Sequence, residues 1–192
     1  MKSEAARFPK PHADEARTVL DAALESPVGR PSIHGFRLRM MTKDDLPNVA
    51  VVDHLATVHT AFHWGPKFDD LPAAELRAMF RDDELRPLVA MRGRMVAGFL
   101  FAGPGKGLGW KILRLAVDPE WHRNGLGTAL VCELVREQGC GQLSALVHER
   151  CTGHLAFYHR LGFRAQRGLL HNHFADGDGI VMQWRPAECE GT

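Results

Sequence analysis

The residues whose types and spacing could do chemistry lie between Leu115 and Phe163. An apolar run, Leu115-Ala116-Val117, passes through Asp118-Pro119-Glu120-Trp121 and reaches His122-Arg123-Asn124-Gly125-Leu126-Gly127-Thr128, where a helix should open. A strand–turn–helix junction of this kind aims several backbone N–H groups and the positive end of a helix dipole at one point, which suits an anionic ligand such as a phosphate. Glycine at 125 and 127 keeps side chains from holding that ligand away from the amides. Further along, Phe157-Tyr158-His159-Arg160-Leu161-Gly162-Phe163 reads as a short helix ending at glycine, and it carries the only tyrosine of the chain. With a pKa of about 10, a phenol is protonated at neutral pH and can donate to a departing thiolate, whose thiol has a pKa of about 8.5. Cradle and phenol together point to acyl transfer from a thioester.

The elements that must position these residues follow from hydrophobic periodicity. Residues 13–25 place Ala16, Val19, Leu20, Ala23 and Leu24 on one helical face, between Pro9 and Pro11 on one side and Pro27, Gly29 and Pro31 on the other. This predicts an N-terminal extension over 1–35, its apolar face packed on its own domain or on a dimer partner. Residues 36–40 alternate as a first strand, and Thr42 offers an N-cap to a helix containing Val51, Val52, Leu55 and Val58. A helix over 72–81, a hairpin of 87–91 with 95–102 turning at Gly93, and a fourth strand over 110–117 come next. The cradle leads into a helix over 125–138 with Leu126, Leu130, Val131, Leu134 and Val135 on one side. A fifth strand (143–148), a helix (154–161), a sixth strand (163–174), a turn at Asp176-Gly177-Asp178-Gly179 and a seventh strand (180–184) complete a domain over 36–185, followed by a tail over 186–192.

Composition bounds the rest. A chain of 192 residues that is 45% apolar fits one domain with a sizeable core. Lys and Arg number 24 against 23 Asp and Glu, so no global field draws the protein to nucleic acid or to an anionic membrane, and small or locally recognised ligands are expected. Residues 1–10 lack an apolar signal core and no run approaches a membrane span, which reads as cytoplasmic. Cys132, Cys140, Cys151 and Cys189 form no Cys-x-x-Cys pair and read as buried thiols. His59 and His63 could share a helix face, but no third ligand follows at motif spacing, so no metal is expected; the pair and its neighbours Phe62 and Trp64 are assigned to an acceptor-site wall or to packing. Gly103-Pro104-Gly105-Lys106-Gly107-Leu108-Gly109 lacks the Lys-Ser or Lys-Thr ending of a nucleotide loop and precedes a strand, which makes it a hairpin loop.

Val117-x-Pro119 leading to His122-x-x-Gly125-x-Gly127, then Phe157-Tyr158-x-x-Leu161-Gly162-Phe163, resembles the GNAT superfamily of acyl-CoA-dependent N-acetyltransferases over residues 36–185. The resemblance implies an α/β (α+β) fold: a mixed, mostly antiparallel seven-stranded sheet, flanked by helices and splayed between strands four and five. It implies acetyl-CoA as cosubstrate, with acetyl-CoA admitted from one side of the splay and an amine from the other. Residues His122, Arg123, Asn124, Gly125, Leu126, Gly127 and Thr128 would hold the pyrophosphate, and the backbone of Leu115, Ala116 and Val117 would pair with the pantetheine arm and polarise the thioester. Tyr158 would protonate the leaving thiolate, Cys151 and Arg160 would adjoin the coenzyme, and the amine would attack directly. His122 stands where the family has Gln or Arg.

Met41-Thr42-Lys43-Asp44-Asp45-Leu46-Pro47 with Ala61-Phe62-His63-Trp64, and His173-Phe174-Ala175-Asp176-Gly177 with Val181-Met182, are similar to the branch that acetylates protein N-termini, ribosomal-protein alanine acetyltransferases included. That branch has a Tyr-Tyr pair at His173-Phe174, Asn at Cys151 and a catalytic Glu at Leu146. An α-amine with a pKa near 7.8 is roughly one-third neutral at pH 7.5, whereas lysine near 10.4 is neutral about one time in a thousand, so a missing base is better tolerated with an α-amine. His148, two residues from Leu146 on the same strand face, is the first substitute base, ahead of Glu149 and His173. The expected acceptor is a peptide or protein N-terminus; a small-molecule amine, or a non-catalytic acyl-CoA-binding module, are the alternatives.

Overall fold

The computed structural model describes residues 18–25, 35–64, 69–105, 109–139 and 141–186. The N-terminal helix expected over 13–25 is described only in its last part, α1 (Val19–Glu25), and Cys140, Cys189 and most of the C-terminal tail lie outside the described residues. Strand β1 (Arg37–Met40) is followed by α2 (Leu46–Trp64), which a 3-10 turn over Lys43–Asp45 precedes. In that turn the Asp45 carboxylate accepts the Thr42 N–H at 2.7 Å and two bonds from the Arg39 guanidinium at 2.6 and 2.8 Å. After α3 (Ala73–Arg81) come β2 (Arg86–Arg92), β3 (Met95–Pro104) and β4 (Trp110–Val117), then α4 (Leu126–Gln138), β5 (Leu143–His148), α5 (Thr152–Arg160), β6 (Arg164–Phe174) and β7 (Gly177–Trp184).

The seven strands form one sheet in the order β1-β2-β3-β4-β5-β7-β6, antiparallel at every pairing except β4 with β5. This is the mixed, mostly antiparallel α/β sheet that the sequence predicts. One detail differs: the last hairpin turns on Ala175-Asp176, so Gly177, Asp178 and Gly179 belong to β7 rather than to the turn. The reason is local. Gly179 pairs with both His148 and Leu170, and the ladder runs on to Gly177 opposite Phe174, because pairing satisfies backbone groups that a longer loop would leave to water.

The splay has an identifiable cause. In the β3–β4 ladder Phe101 faces Arg114 and Ala102 faces Ile112, so Leu113 is an extra residue on β4. Such a bulge bends its strand. Strand β5 accordingly pairs with Trp110, Lys111 and Ile112 and with nothing beyond the bulge, leaving Leu113–Val117 to diverge from Leu146–His148. Apolar layers cover both faces. Leu100, Leu130, Leu134, Leu143, Val147, Phe163 and Trp184 form one buried cluster with α4, while Met41, Val49, Val52, Leu76, Phe99, Phe101 and Ala116 form another beneath α2 and α3. Because β4 alternates, Arg114 and Ala116 face α2 and Leu115 and Val117 face the α4 side.

Candidate active site

The divergence of β4 from β5 opens a cavity of about 250 Å³. Its wall takes Leu113–Val117 from β4, Leu146–His148 from β5, Asp53, Ala56, Thr57 and Thr60 from α2, His154, Phe157 and Tyr158 from α5, and His122 and Phe174 from the adjoining loop and strand. Of the residues expected from sequence, Leu115, Ala116, Val117, His122, His148 and Tyr158 therefore meet in one space. Arg123, Asn124 and Gly125 are exposed next to it, Leu126 is buried in the core, and Gly127 and Thr128 are half-buried on the first turn of α4. Arg160 is exposed on α5 and does not reach the cavity, and Cys151, fully buried at the start of α5, does not line it either. Burial raises the Cys151 and Cys132 thiols to about 11, so both are inert thiols at neutral pH.

At the mouth, the turn before α4 holds Arg123 at φ +64° and Gly125 at φ +78°. A side chain at 125 would meet no atom within 4 Å, so glycine is set there by backbone conformation and by whatever approaches from outside. Gly127 is different. A Cβ there would sit 3.2 Å from the Phe157 ring, so its smallness lets α5 close on α4. The first hydrogen bond within α4 joins the Ala129 N–H to the Gly125 carbonyl at 2.9 Å, which leaves the amides of Leu126, Gly127 and Thr128 without intrahelical partners. These amides at a helix N-terminus are fitted to an anion. His122 turns inward, its Nε2 at 2.9 Å from the Val117 carbonyl oxygen, and its ring meets that of His59 at 4.7 Å.

Tyr158 is 8% exposed, with Phe157 and Phe163 edge-on at 5.0 and 5.1 Å between centroids. Burial pushes its phenol above the ordinary value of 10, so it stays protonated across the accessible range. His148 is held differently from a base. Its Nδ1 accepts the Arg150 N–H at 3.1 Å, and its Nε2 lies 3.1 Å from the Asp176 carboxylate, which also takes the Arg150 guanidinium. Those partners fix the tautomer with hydrogen on Nε2 and engage both ring nitrogens. Glu149 accepts the Asp178 N–H, and His173 is exposed on β6 with its Cβ against Gly179; neither lines the cavity.

Of the two expectations for His59, Phe62, His63 and Trp64, an acceptor-site wall or packing, the geometry agrees with packing, since none of the four lines the cavity. Trp64 lies on Gly153 and against His154 at 5.3 Å, His59 stacks on His63 at 4.2 Å, and Phe62 is 84% exposed. Among the described residues no group of three or more His, Cys, Asp or Glu is arranged to hold a metal ion.

Sequence reasoning passes over two parts of the wall. His154, whose pKa burial and then its neighbours His122, His59 and Arg114 lower to about 4, is a neutral imidazole at physiological pH. Asp53 and Arg114 form a bidentate pair at 2.7 and 3.0 Å. The signal for that pair was present, since each is a lone charge in an apolar run, Val51-Val52-Asp53 and Leu113-Arg114-Leu115.

Comparison with known proteins agrees with this geometry. The family model for the Acetyltransferase (GNAT) domain matches residues 83–165, from the start of β2 to the start of β6. Residues 83–165 are thus similar to the GNAT acetyltransferase domain. No curated protein sequence matches it. Solved structures do: the ribosomal-protein-S18-alanine N-acetyltransferase from Escherichia coli is 21% identical with a TM-score of 0.65, over 78% of this chain and 93% of that one. PaiA N-acetyltransferase from Thermoplasma acidophilum, in complex with coenzyme A, is 17% identical with a TM-score of 0.63, over 79% and 99%. An aminoglycoside 6'-N-acetyltransferase complexed with coenzyme A is 19% identical with a TM-score of 0.61, over 78% and 96%. At these identities the likeness is one of fold, and the GNAT sheet with its parallel β4–β5 pair is what the proteins share. Among the described residues no helix is long and apolar enough to cross a membrane.

Proposed function

We infer that this chain is an acetyl-CoA-dependent N-acetyltransferase that moves the acetyl group directly onto a primary amine, foremost the α-amine of a peptide or protein N-terminus. The observation that carries the reading is the convergence on one cavity of the bulged strand Leu113–Val117 and the protonated phenol of Tyr158, with the unpaired amides of α4 beside its mouth.

The residues divide the work by position. The amides of Leu126, Gly127 and Thr128 hold the coenzyme's pyrophosphate, with Arg123 adding charge at the rim. Beyond the bulge, the β4 backbone is released from β5, so it can pair with the pantetheine arm and polarise the thioester carbonyl. Acetyl-CoA supplies the activated acyl group. As the amine nitrogen bonds to the carbonyl carbon and the carbon–sulfur bond breaks, Tyr158 donates its hydrogen to the sulfur. His148, braced by Asp176 and Arg150, shapes the acceptor side without serving as the base; the amine's surplus proton passes to water, and the Tyr158 phenolate takes a proton back from water to restore the acid. An acceptor that is already partly neutral at pH 7.5 makes such a site workable; an α-amine meets that condition and a lysine does not.

A second reading, an acyl-CoA-binding module without turnover, is favoured by Leu146 in the cavity wall at the position where the N-terminal acetylating branch has Glu. Coenzyme A thiol release separates the two. With acetyl-CoA and a panel of peptides, amino acids, polyamines and aminoglycosides, acceptor-dependent release is expected and strongest with unblocked peptides. Acetyl-CoA binding without release from any acceptor would make the binding module the correct account, and release confined to aminoglycosides or polyamines would replace the peptide acceptor with a small-molecule one.

A further inference from the structure

We propose that Arg114 is the acceptor-recognition residue of this site, and that it selects amines whose amino-bearing carbon carries a carbonyl or carboxylate group. An α-amino amide, an amino acid or a peptide N-terminus has that oxygen; an alkylamine or polyamine does not. The inference rests on the acyl-transfer reading above and specifies its acceptor.

Arg114 follows the bulge directly and projects from β4 towards α2, where Asp53 takes its Nε at 2.7 Å and its Nη2 at 3.0 Å, and Thr57 Oγ1 accepts from Nη2 at 3.1 Å. A further, longer contact joins Nη2 to the Asp69 carbonyl. Asp53 is saturated, since its Oδ2 also accepts the Leu71 N–H at 2.8 Å. The two side chains are unequally enclosed: the carboxylate is 1% exposed and the guanidinium side chain 23%. That leaves Nη1, with its two N–H groups, making no hydrogen bond among the described residues, on a side chain that lines the cavity.

A buried ion pair is weak evidence of stabilisation, because an apolar pair of similar volume usually holds a fold as well. What a bidentate pair does supply is orientation. Asp53 fixes the guanidinium plane and cancels its charge, so Nη1 offers directed hydrogen bonds to an oxygen and has nothing to offer a second ammonium group. Arg114 and Ala116 lie two residues apart on the same face of β4, about 7 Å along the strand. An oxygen three bonds from the nitrogen of an amine held at the Leu115–Val117 backbone falls within that span. Two neighbouring polar side chains in the wall are already engaged: His148 at both nitrogens, and Thr57 with Arg114.

The test compares L-alaninamide with sec-butylamine, which has the same carbon branching and no oxygen, and takes the ratio of their kcat/KM values in each protein so that the difference in amine pKa cancels. R114K keeps a cation beside Asp53, and the double variant D53N/R114Q removes both charges, so neither strands a buried carboxylate. Both are expected to lower the ratio about 10- to 100-fold, chiefly through KM for alaninamide. Equal losses for the two amines would overturn the proposal and leave the pair as a clip between α2 and β4. A second readout needs no turnover: with 15N-arginine-labelled protein and coenzyme A, the guanidinium signal that R114K removes should shift with alaninamide and stay in place with sec-butylamine. A shift without turnover upholds Arg114 while defeating the acyl-transfer reading; turnover without a shift defeats Arg114 alone.

Discussion

Replacing Tyr158 with phenylalanine isolates one hydroxyl. The ring's contacts with Phe157 and Phe163 are retained, so the fold should lose little, and no protein hydrogen bond of the hydroxyl is broken among the described residues. The magnitude follows from proton affinities. In water a phenol near 10 is a weaker acid than a thiol near 8.5, so complete transfer to a free thiolate would run uphill by about 2 kcal/mol. Burial changes the partner as well as the donor: in this protein the buried Cys132 and Cys151 thiols rise to about 11, and a coenzyme thiolate released against the same apolar wall gains basicity for the same reason. Because burial raises the Tyr158 phenol too, the difference does not close, and Tyr158 contributes through a charge-assisted hydrogen bond worth about 1.5–3 kcal/mol in the transition state. Y158F should therefore lower kcat by about 10- to 100-fold. Acetyl-CoA affinity should change by less than about threefold, because a thioester sulfur accepts hydrogen bonds poorly. The assay is thiol release at saturating acetyl-CoA and acceptor, with affinity measured separately by calorimetry. A kcat within twofold of wild type would refute the acid role, and a loss confined to acetyl-CoA binding would recast Tyr158 as a binding residue.

Further outcomes follow from the same geometry. Since burial holds the Tyr158 phenol above its ordinary pKa, the acid form persists to higher pH, and kcat/KM should rise with deprotonation of the amine and show no descending limb below pH 10. Arg39 lowers the Asp45 carboxyl to about 2, so its folded value lies below the ordinary 3.8; the stabilisation is present above about pH 4 and is lost as pH falls towards 2. D45N should lower stability by about 2 kcal/mol at pH 7 in urea titrations, with a gap that narrows below pH 4, whereas a pH-independent gap would reject the ion-pair account. Gly153→Ala should destabilise by about 1–3 kcal/mol despite better helix propensity, because the added Cβ would lie 2.3 Å from the Trp64 indole; a raised Tm would show that α2 does not bear on α5.

Much of the site was legible from the chain itself. The glycines at 125 and 127 with Pro119 marked the strand-to-helix turn, and Tyr158 stood out by being the only tyrosine, so local spacing sufficed for both. The fourth and fifth strands are found at the predicted residues, yet what separates them is a single extra residue, Leu113, that no periodicity marks as unpaired. Asp53 and Arg114 lie 61 positions apart and meet only after α2 crosses the sheet. His148 shows the converse limit. Strand parity placed it correctly on the cavity wall, but its capacity as a base depended on Asp176 and the Arg150 amide, partners supplied by a hairpin turn and by the residue two beyond. For the histidine and aromatic residues at the end of α2, helical spacing leaves a site wall and packing both open, and only tertiary structure reveals that they meet α5 and the cradle loop.

Direct transfer from acetyl-CoA to an amine is the central claim, and mass spectrometry with isotopically heavy acetyl-CoA tests it most directly. Mixed with an unblocked peptide, the protein should yield N-terminally heavy-acetylated peptide in one-to-one proportion with free coenzyme A, while the protein's own intact mass stays unchanged with or without acceptor. A heavy acetyl group that resides on the protein before reaching the amine, or coenzyme A release that leaves every amine unmodified, would contradict the account.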